Sequence, residues 1–277
     1  MTVTHPRTPP QSSPEEAETS APTNDGTIKP HLSHSLAMPT NRRVQNSWEE
    51  TTMTVNIANL EEAKSRVKEL LAADERVILG IVGAPGAGKS TLAQLLAEAF
   101  AEGVPGGAAE PKDHFSAWVP MDGYHLADVE LRRLGRLQRK GAIDTFDARG
   151  YRSLLRRISA GEDGVIYAPM FERDLEQPLA GAIPVFPWTR LVVTEGNYLL
   201  DEADAWNDVR KAMTEVWYVD VDDDLRRERL VERHIRFGKE PEQARRWVME
   251  VDEINARRIA ACRDRADATV ELPPLDL

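Results

Sequence analysis

One stretch decides the fold: Arg76-Val-Ile-Leu-Gly-Ile-Val82, followed directly by Gly83-Ala-Pro-Gly-Ala-Gly-Lys89-Ser90. The first seven residues are almost continuously apolar, which is typical of a parallel strand that is buried on both faces. The next eight fit the pattern G-x-x-x-x-G-K-[ST], and helical spacing of apolar residues runs from Thr91 to Phe100. The stretch therefore predicts a strand, a glycine-rich turn and a helix.

The alternation of strands and helices continues on both sides of this stretch. Apolar runs at 115–121, 190–194 and 215–221 predict further buried strands, and helical spacing from Asn59 predicts a short lead-in helix. Strands separated by helices indicate a parallel sheet flanked by helices, which is a three-layer α/β fold with ligands at the carboxyl ends of the strands. No internal repeat is present.

The glycine-rich turn has the composition of a phosphate-binding loop. Its glycines let successive backbone N–H groups surround a phosphate, and the following helix N-terminus adds partial positive charge. In such a loop the lysine contacts the β- and γ-phosphates and the serine ligates Mg²⁺, so we expect ATP and Mg²⁺ as ligands and a P-loop NTPase fold. The predicted nucleotide-binding residues of the loop are Gly83, Ala84, Pro85, Gly86, Ala87, Gly88, Lys89, Ser90 and Thr91.

Composition restricts the partners. The 277 residues carry a formal net charge of −11, which disfavours nucleic acid. No run of about 18 apolar residues predicts a membrane span, and a single cysteine, Cys262, fits a cytoplasmic protein. Residues 1–55 hold seven of the 18 prolines, one glycine and no amphipathic period, which predicts a disordered N-terminal leader before a folded domain at 56–277. The sequence is compatible with a homodimer and with a monomer.

The phosphate-binding loop does not identify the reaction. The Asn-Lys-x-Asp motif of GTPases and the signature of ABC-type ATPases are absent from the sequence. Phosphotransferases place a carboxylate near the γ-phosphate to take the proton of the acceptor. Asp122 follows the second buried run and is therefore expected at the ligand edge of the sheet. A helix cap or a turn is an equally common role for such an aspartate.

The residues around Asp122 resemble type I pantothenate kinases, and uridine kinases and phosphoribulokinases share the same plan. The likeness covers roughly residues 75–260. It is carried by Pro120-Met-Asp-Gly-Tyr-His-Leu126, Arg139-Lys-Gly-Ala-Ile-Asp-Thr-Phe-Asp147, Ala168-Pro169, Thr194-Glu-Gly-Asn197 and Tyr218-Val-Asp-Val-Asp222. The resemblance implies an ATP-dependent kinase domain. Its acceptor would be a hydroxyl of a small metabolite, such as a nucleoside, a sugar, a sugar phosphate or a pantothenate-like acid.

The resemblance also implies roles for single residues. Asp122 is the expected general base, and Glu195 resembles the acidic residue that positions Mg²⁺ together with Ser90, with a helix-cap carboxylate as the alternative for Glu195. Asp144 and Asp147 fall in a loop that resembles one flanking the acceptor pocket, although each also fits as a cap of the helix from Ala148. The expected acceptor-binding residues are Tyr124, Asp144, Phe171 and Arg173.

Four arginines predict a helical lid at about 225–240. Their spacings of 3, 4 and 3 put Arg226, Arg229, Arg233 and Arg236 on one helical face, which is either a lid over the triphosphate or a solvated basic face. Arginines on a lid stabilise the charge that develops on the transferred group and exclude water. Glu232-Arg-His-Ile-Arg-Phe237 resembles the lid of pantothenate and uridine kinases, so Arg233 is expected to be catalytic, and Arg229 and Arg236 to bind ATP.

The resemblance breaks in the acceptor pocket. Phe171 and Arg173 stand where pantothenate kinases carry a Tyr-Ser-His triplet, and Leu230 replaces a substrate-contacting tyrosine, which disfavours pantothenate. Gly141 stands where uridine kinases hold the ribose hydroxyls with an aspartate, which weakens a nucleoside acceptor. The guanidinium of Arg173 favours an anionic acceptor unless neighbouring carboxylates pair with it. A nucleotide-switched regulatory ATPase and a degenerate kinase that only binds ligand are the alternative functions.

Overall fold

The computed structural model describes residues 54–73, 75–107 and 113–271. Its strands are β1 (Val55–Ile57), β2 (Val77–Val82), β3 (Ser116–Pro120), β4 (Ile166–Glu172), β5 (Gln177–Val185), β6 (Leu191–Glu195), β7 (Glu215–Val219) and β8 (Ala268–Val270). Six of them form one sheet in the order β1-β8-β7-β2-β6-β3, in which each pair of neighbours is parallel. The predicted parallel sheet is confirmed.

Helices cover both faces of this sheet. They are α1 (Leu60–Leu71), α2 (Lys89–Ala99), α3 (Asp128–Arg133), α4 (Ala148–Ala160), α5 (Trp206–Arg210), α6 (Asp223–Arg236), α7 (Pro241–Trp247) and α8 (Glu253–Ala260). Leu79 and Ile81 of β2 pack in a core with α1 and α2, whereas Ile78 and Val82 pack with α4, α5 and α8. Successive side chains of a strand point to opposite faces, so β2 is buried on both, and the three-layer fold is confirmed.

Local side-chain contacts explain where three helices begin. Asn59 accepts a hydrogen bond from the backbone N–H of Glu62 at 2.9 Å and caps α1. Asp147 caps α4 by accepting from the N–H of Gly150 at 2.8 Å. Asp222 likewise caps α6. Capping is therefore the observed role of Asp147, which was one of the two roles that the sequence left open for it.

The antiparallel pair of β4 and β5 was not predicted. Its pairing runs from Ile166 opposite Val185 to Glu172 opposite Gln177, with an irregular register between Ala168 and Met170. The β5 segment contains two prolines and a glycine, and these two residue types are usually depleted in strands. The pair lies outside the main sheet, and β4 ends beside the loop that follows β3.

The ends of the folded domain differ slightly from the prediction. The leader predicted at 1–55 lies outside the described residues except for positions 54 and 55, and Val55 is the first residue of β1, which pairs with β8. A three-residue edge strand is too short to leave a period in the sequence. The predicted lid region corresponds to α6 and the turn before α7. Within the described ranges, no helix is both long and apolar enough to cross a membrane.

Candidate active site

The strand register brings the predicted site residues together. Strand β6 lies between β2 and β3, and its last residue, Glu195, is opposite Ile81 of β2 and Pro120 of β3. The phosphate-binding loop leaves the end of β2, and Asp122 follows the end of β3 in a turn of 3₁₀ helix. Because parallel strands end at the same edge of the sheet, the loop, Glu195 and Asp122 meet there.

The phosphate-binding loop has the backbone that its glycines predict. Gly86 and Gly88 have φ angles of 82° and 89°, in the left-handed region that favours glycine, and Gly88 occupies the N-cap position of α2. Lys89, the first residue of α2, is buried, and its Nζ donates a hydrogen bond to the carbonyl oxygen of Ala84 at 3.0 Å. Burial lowers the pKa of Lys89, and the nearby carboxylates of Glu195 and Asp122 oppose this shift.

Ser90 and Glu195 form an oxygen-donor pair. The hydroxyl of Ser90 donates to Oε1 of Glu195 at 3.1 Å, and Glu195 is buried. Burial, followed by repulsion from Asp122, raises the pKa of Glu195 to about 7, against the effect of Lys89. A hydroxyl beside two carboxylates that repel each other is the type of donor set that a hard cation stabilises, so these residues fit Mg²⁺.

A cavity of about 500 Å³ opens above this edge of the sheet. One side is the phosphate-binding loop with Asp122 and Glu195. The other side is formed by the loop after β3, by β4 and by the α6–α8 region. The lining residues on this second side include His125, Lys140, Gly141, Phe146, Phe171, Arg173, Glu176, Leu230, Arg233, His234, Phe237, Lys239, Trp247, Asp252 and Asn255.

Two arginines line this cavity. Arg173 follows the end of β4, Arg233 lies on α6, and neither forms an ion pair with a carboxylate of the described residues. The protein atoms around Arg233 displace part of the water that hydrates its guanidinium, and this desolvation lowers its pKa. The positive charge of Arg173 lowers the pKa further. Two unpaired guanidiniums in one cavity repel each other, so an anion bound between them would be stabilised.

Known proteins are similar to this chain in sequence. No protein-family model matches the chain. A Schizosaccharomyces pombe protein named "Putative uridine kinase" is 34% identical over 187 residues, which are 66% of this chain and 77% of that protein. An Aspergillus versicolor protein named as an ATP-dependent kinase-like protein is 31% identical over 52% of this chain and 88% of its own length. The chain belongs to the P-loop kinase superfamily of the uridine and pantothenate kinases.

A solved structure supports the same membership for this P-loop kinase. A crystal structure from Silicibacter sp. TM1040, described as a "putative fructose transport system kinase", has 33% sequence identity and a TM-score of 0.67. It covers 76% of this chain and 98% of its own chain. The predicted superfamily and the predicted α/β kinase fold are therefore confirmed.

Not every predicted site residue of the P-loop kinase lines the cavity. Phe171 and Arg173 do, but Asp144 does not, because its carboxylate is held by Arg139 at 2.6 Å and by Arg136 at 3.3 Å. Tyr124 packs against the ring of Tyr151 at 5.1 Å, and burial raises its pKa. The acceptor-binding roles of Asp144 and Tyr124 stay predictions, and these contacts do not support them.

The four arginines of the predicted lid lie in different environments. Arg233 lines the cavity, whereas Arg229 and Arg236 do not, so their predicted contacts with ATP stay predictions. Arg226 is 1% exposed and forms ion pairs with Glu253 of α8 and with Asp223. The four arginines therefore do not form one free basic face, because Arg226 attaches α6 to α8.

Several lining residues could not be predicted from spacing. Lys239, Trp247 and Asp252 come from the region after α6, which is brought to the cavity only by the packing of α6, α7 and α8. Asn197 lies just after β6, and its position two residues beyond Glu195 was the available signal. His125 is inside the segment that carries the resemblance, and no role was assigned to it.

Proposed function

We propose that this protein transfers the γ-phosphoryl group of ATP to a hydroxyl of a small metabolite. One observation carries the proposal: the phosphate-binding loop and the carboxylate of Asp122 line the same cavity, whose opposite wall contains Phe171 and Arg173. A kinase needs this arrangement because the γ-phosphoryl group and the acceptor hydroxyl must meet in line at one point.

A second cavity of about 520 Å³ supports the placement of ATP. Ala84 and Ala87 of the phosphate-binding loop are among the residues that line it. Its walls combine apolar side chains, such as those of Val221 and Ala260, with arginines. A nucleotide with its base and ribose in this second cavity and its triphosphate over the loop would present the γ-phosphate to the first cavity.

The chain supplies the charges that phosphoryl transfer requires. Ser90 and Glu195 would hold Mg²⁺, which neutralises negative charge on the phosphates when it is bound. Lys89 and Arg233 face the same cavity and stabilise the charge that develops on the transferred group. Asp122 accepts the proton of the acceptor hydroxyl while that oxygen bonds to phosphorus and the bond to ADP breaks.

Arg173 supports an anionic acceptor. Its guanidinium presents a planar fork of donors that suits a carboxylate or a phosphate, and it lies on the wall opposite the phosphate-binding loop. The sequence allowed a surface ion pair with the flanking Glu172 and Asp174 as the alternative. No such pair exists among the residues that the structure describes, so the guanidinium is available to a ligand.

The test is a screen of a metabolite library for acceptor-stimulated release of ADP. The proposal predicts at least one hydroxyl compound that raises ADP release and is recovered as its phosphate ester. Asp122→Asn should lower this rate by about a hundredfold or more with nearly unchanged ATP affinity, because the amide cannot accept the proton. Asp147→Asn is the matched control, since asparagine also caps a helix. ADP release that no compound stimulates would favour a nucleotide-switched ATPase instead.

A further inference from the structure

The ring of His125 is fixed in place on the side of the cavity opposite the phosphate-binding loop, which we call the acceptor side. His125 lies three residues after Asp122, and its backbone bridges to Phe146. The imidazole packs between two aromatic rings, with ring centroids 4.1 Å from Phe146 and 4.8 Å from Phe171. All three side chains line the cavity. The ring therefore cannot turn away from the cavity without disrupting this packing.

The contacts of His125 determine its tautomer. Its Nδ1 lies 2.8 Å from the backbone carbonyl oxygen of Asp122. A carbonyl oxygen can only accept a hydrogen bond, so Nδ1 carries the proton and donates it. Burial lowers the pKa of His125, and the positive charge of Lys140 lowers it further, against the effect of Asp122. The neutral ring then has an unprotonated Nε2, which is a hydrogen-bond acceptor.

No described side chain or backbone group donates to this Nε2. The nearby cation, Lys140, is already bound, because its Nζ donates to Asp128 at 2.8 Å and to the carbonyl oxygen of Glu176. The cavity thus contains a preoriented, unfilled hydrogen-bond acceptor close to the expected general base. A ligand that covers this nitrogen without donating to it would leave it unpaired at a cost in free energy, which makes the site selective for a ligand that donates.

We propose that Nε2 of His125 accepts a hydrogen bond from a second hydroxyl of the acceptor substrate, so that the substrate is a polyol. This inference rests on the proposed function and deepens it. One hydroxyl of the polyol is deprotonated by Asp122, and a neighbouring hydroxyl is recognised by His125. The rings of Phe146 and Phe171 offer apolar surface to the C–H groups of the same molecule. An acceptor that lacks the second hydroxyl would leave Nε2 unpaired.

A purely positioning role for His125 is the alternative. The carbonyl oxygen of Asp122 accepts from the backbone N–H of His125 at 3.1 Å as well as from Nδ1, so the residue also stiffens the turn that carries the base. Two variants separate the roles. In His125→Asn the amide nitrogen takes the place of Nδ1 and keeps the bond to Asp122, but no atom replaces Nε2. In His125→Gln the amide group reaches the place of Nε2.

The experiment compares acceptors in matched pairs that differ by one hydroxyl. Suitable probes are ribose 5-phosphate with 2-deoxyribose 5-phosphate, glucose with 2-deoxyglucose, and uridine with 2′-deoxyuridine. For its best pair, the wild-type protein should prefer the hydroxylated member by about ten- to a hundredfold in kcat/KM. His125→Asn should abolish this preference through a higher KM for the hydroxylated member only, and His125→Gln should restore part of it.

A second measurement does not depend on turnover. The ¹⁵N spectrum of the imidazole of His125 should show a protonated Nδ1 and an unprotonated Nε2, and the Nε2 signal should move when the preferred polyol binds but not when its deoxy partner binds. A doubly protonated ring, or an unprotonated Nδ1, would overturn the proposal.

The failures are distinguishable. If phosphoryl transfer occurs but both members of each pair react equally well, or if His125→Asn keeps the wild-type preference, His125 does not read a hydroxyl and the kinase proposal still stands. If His125→Asn lowers kcat for both members alike, the residue only positions Asp122. If no polyol in the panel is phosphorylated while another class of compound is, the polyol inference is wrong. If no compound of any class is phosphorylated, the proposed function itself fails.

Discussion

The two sides of the cavity are built in different ways. The nucleotide side comes mainly from one continuous segment, residues 83–90, held between a strand that is buried on both faces and the helix that follows it. The acceptor side comes from three separate parts of the chain, namely the loop after β3, the end of β4 and the α6–α8 region. The first depends on backbone geometry, whereas the second depends on long-range packing of side chains. The acceptor side can therefore change without loss of the fold.

The largest effect is expected on the nucleotide side. Lys89→Ala should lower kcat/KM by about a hundred- to a thousandfold, because it removes a buried charge from the point where negative charge develops in the transition state. The melting temperature should stay within a few degrees. Lys64→Ala, which removes a surface lysine paired with Glu61, is the control and should react at the wild-type rate. A fully active Lys89→Ala would contradict the role of the loop.

The next effect separates two arginines of α6. Arg226→Ala should lower the free energy of unfolding by about 3 kcal/mol, because it leaves the buried Glu253 without one of its two arginine partners. Urea unfolding measures this loss. Arg233→Ala is the matched variant, and it should slow turnover with little change in stability, since Arg233 forms no ion pair with the described carboxylates. Equal losses of stability in both variants would show that the two arginines do not differ in role.

The nucleotide side and the acceptor side also differ in how much of their structure could be predicted from the sequence. The P-loop, four of the six strands of the main sheet and the position of Asp122 were predictable, because buried parallel strands are nearly continuous apolar runs and the loop needs specific residues at fixed positions. The helical period predicts that Arg226 and Arg233 share one face of a helix. It could not show that Glu253, 27 residues later in the chain, pairs with only the first of them.

The third effect concerns the acceptor side. Arg173→Ala should raise the acceptor KM by about ten- to a hundredfold and leave the ATP KM almost unchanged, because one charge-assisted contact with an anionic acceptor is lost. Arg173→Lys should restore only part of the affinity, since an ammonium lacks the planar fork. Initial-rate kinetics with either substrate varied would measure both constants. An unchanged acceptor KM in Arg173→Ala, or an uncharged best acceptor, would exclude the proposed contact.

The smallest effects are expected beside the acceptor side. Asp147→Ala should lower the free energy of unfolding by about 1 kcal/mol, because it removes the cap of α4. Asp144→Asn should leave the acceptor KM within about twofold of the wild-type value, because this carboxylate is held by Arg136 and Arg139 and does not line the cavity. A large rise in KM for Asp144→Asn would restore the role that the resemblance implied.

The acceptor side was less predictable for a physical reason. The β4–β5 pair carries prolines and a glycine, so local preference argued against strands, and cross-strand pairing with β4 decides the structure instead. Phe171 and Arg173 were assigned only through the resemblance. His125 was overlooked because its importance depends on the ring of Phe171, which is distant in the sequence and adjacent in the structure.

A single-turnover experiment that follows the γ-phosphoryl group of labelled ATP in the presence of the best acceptor from the screen would test whether this protein phosphorylates a hydroxyl. We expect the label to move to a hydroxyl of that acceptor, and we expect Asp122→Asn to slow this transfer by about a hundredfold or more while ATP still binds. Label that appears only as inorganic phosphate, at the same rate with and without the acceptor, would contradict this expectation.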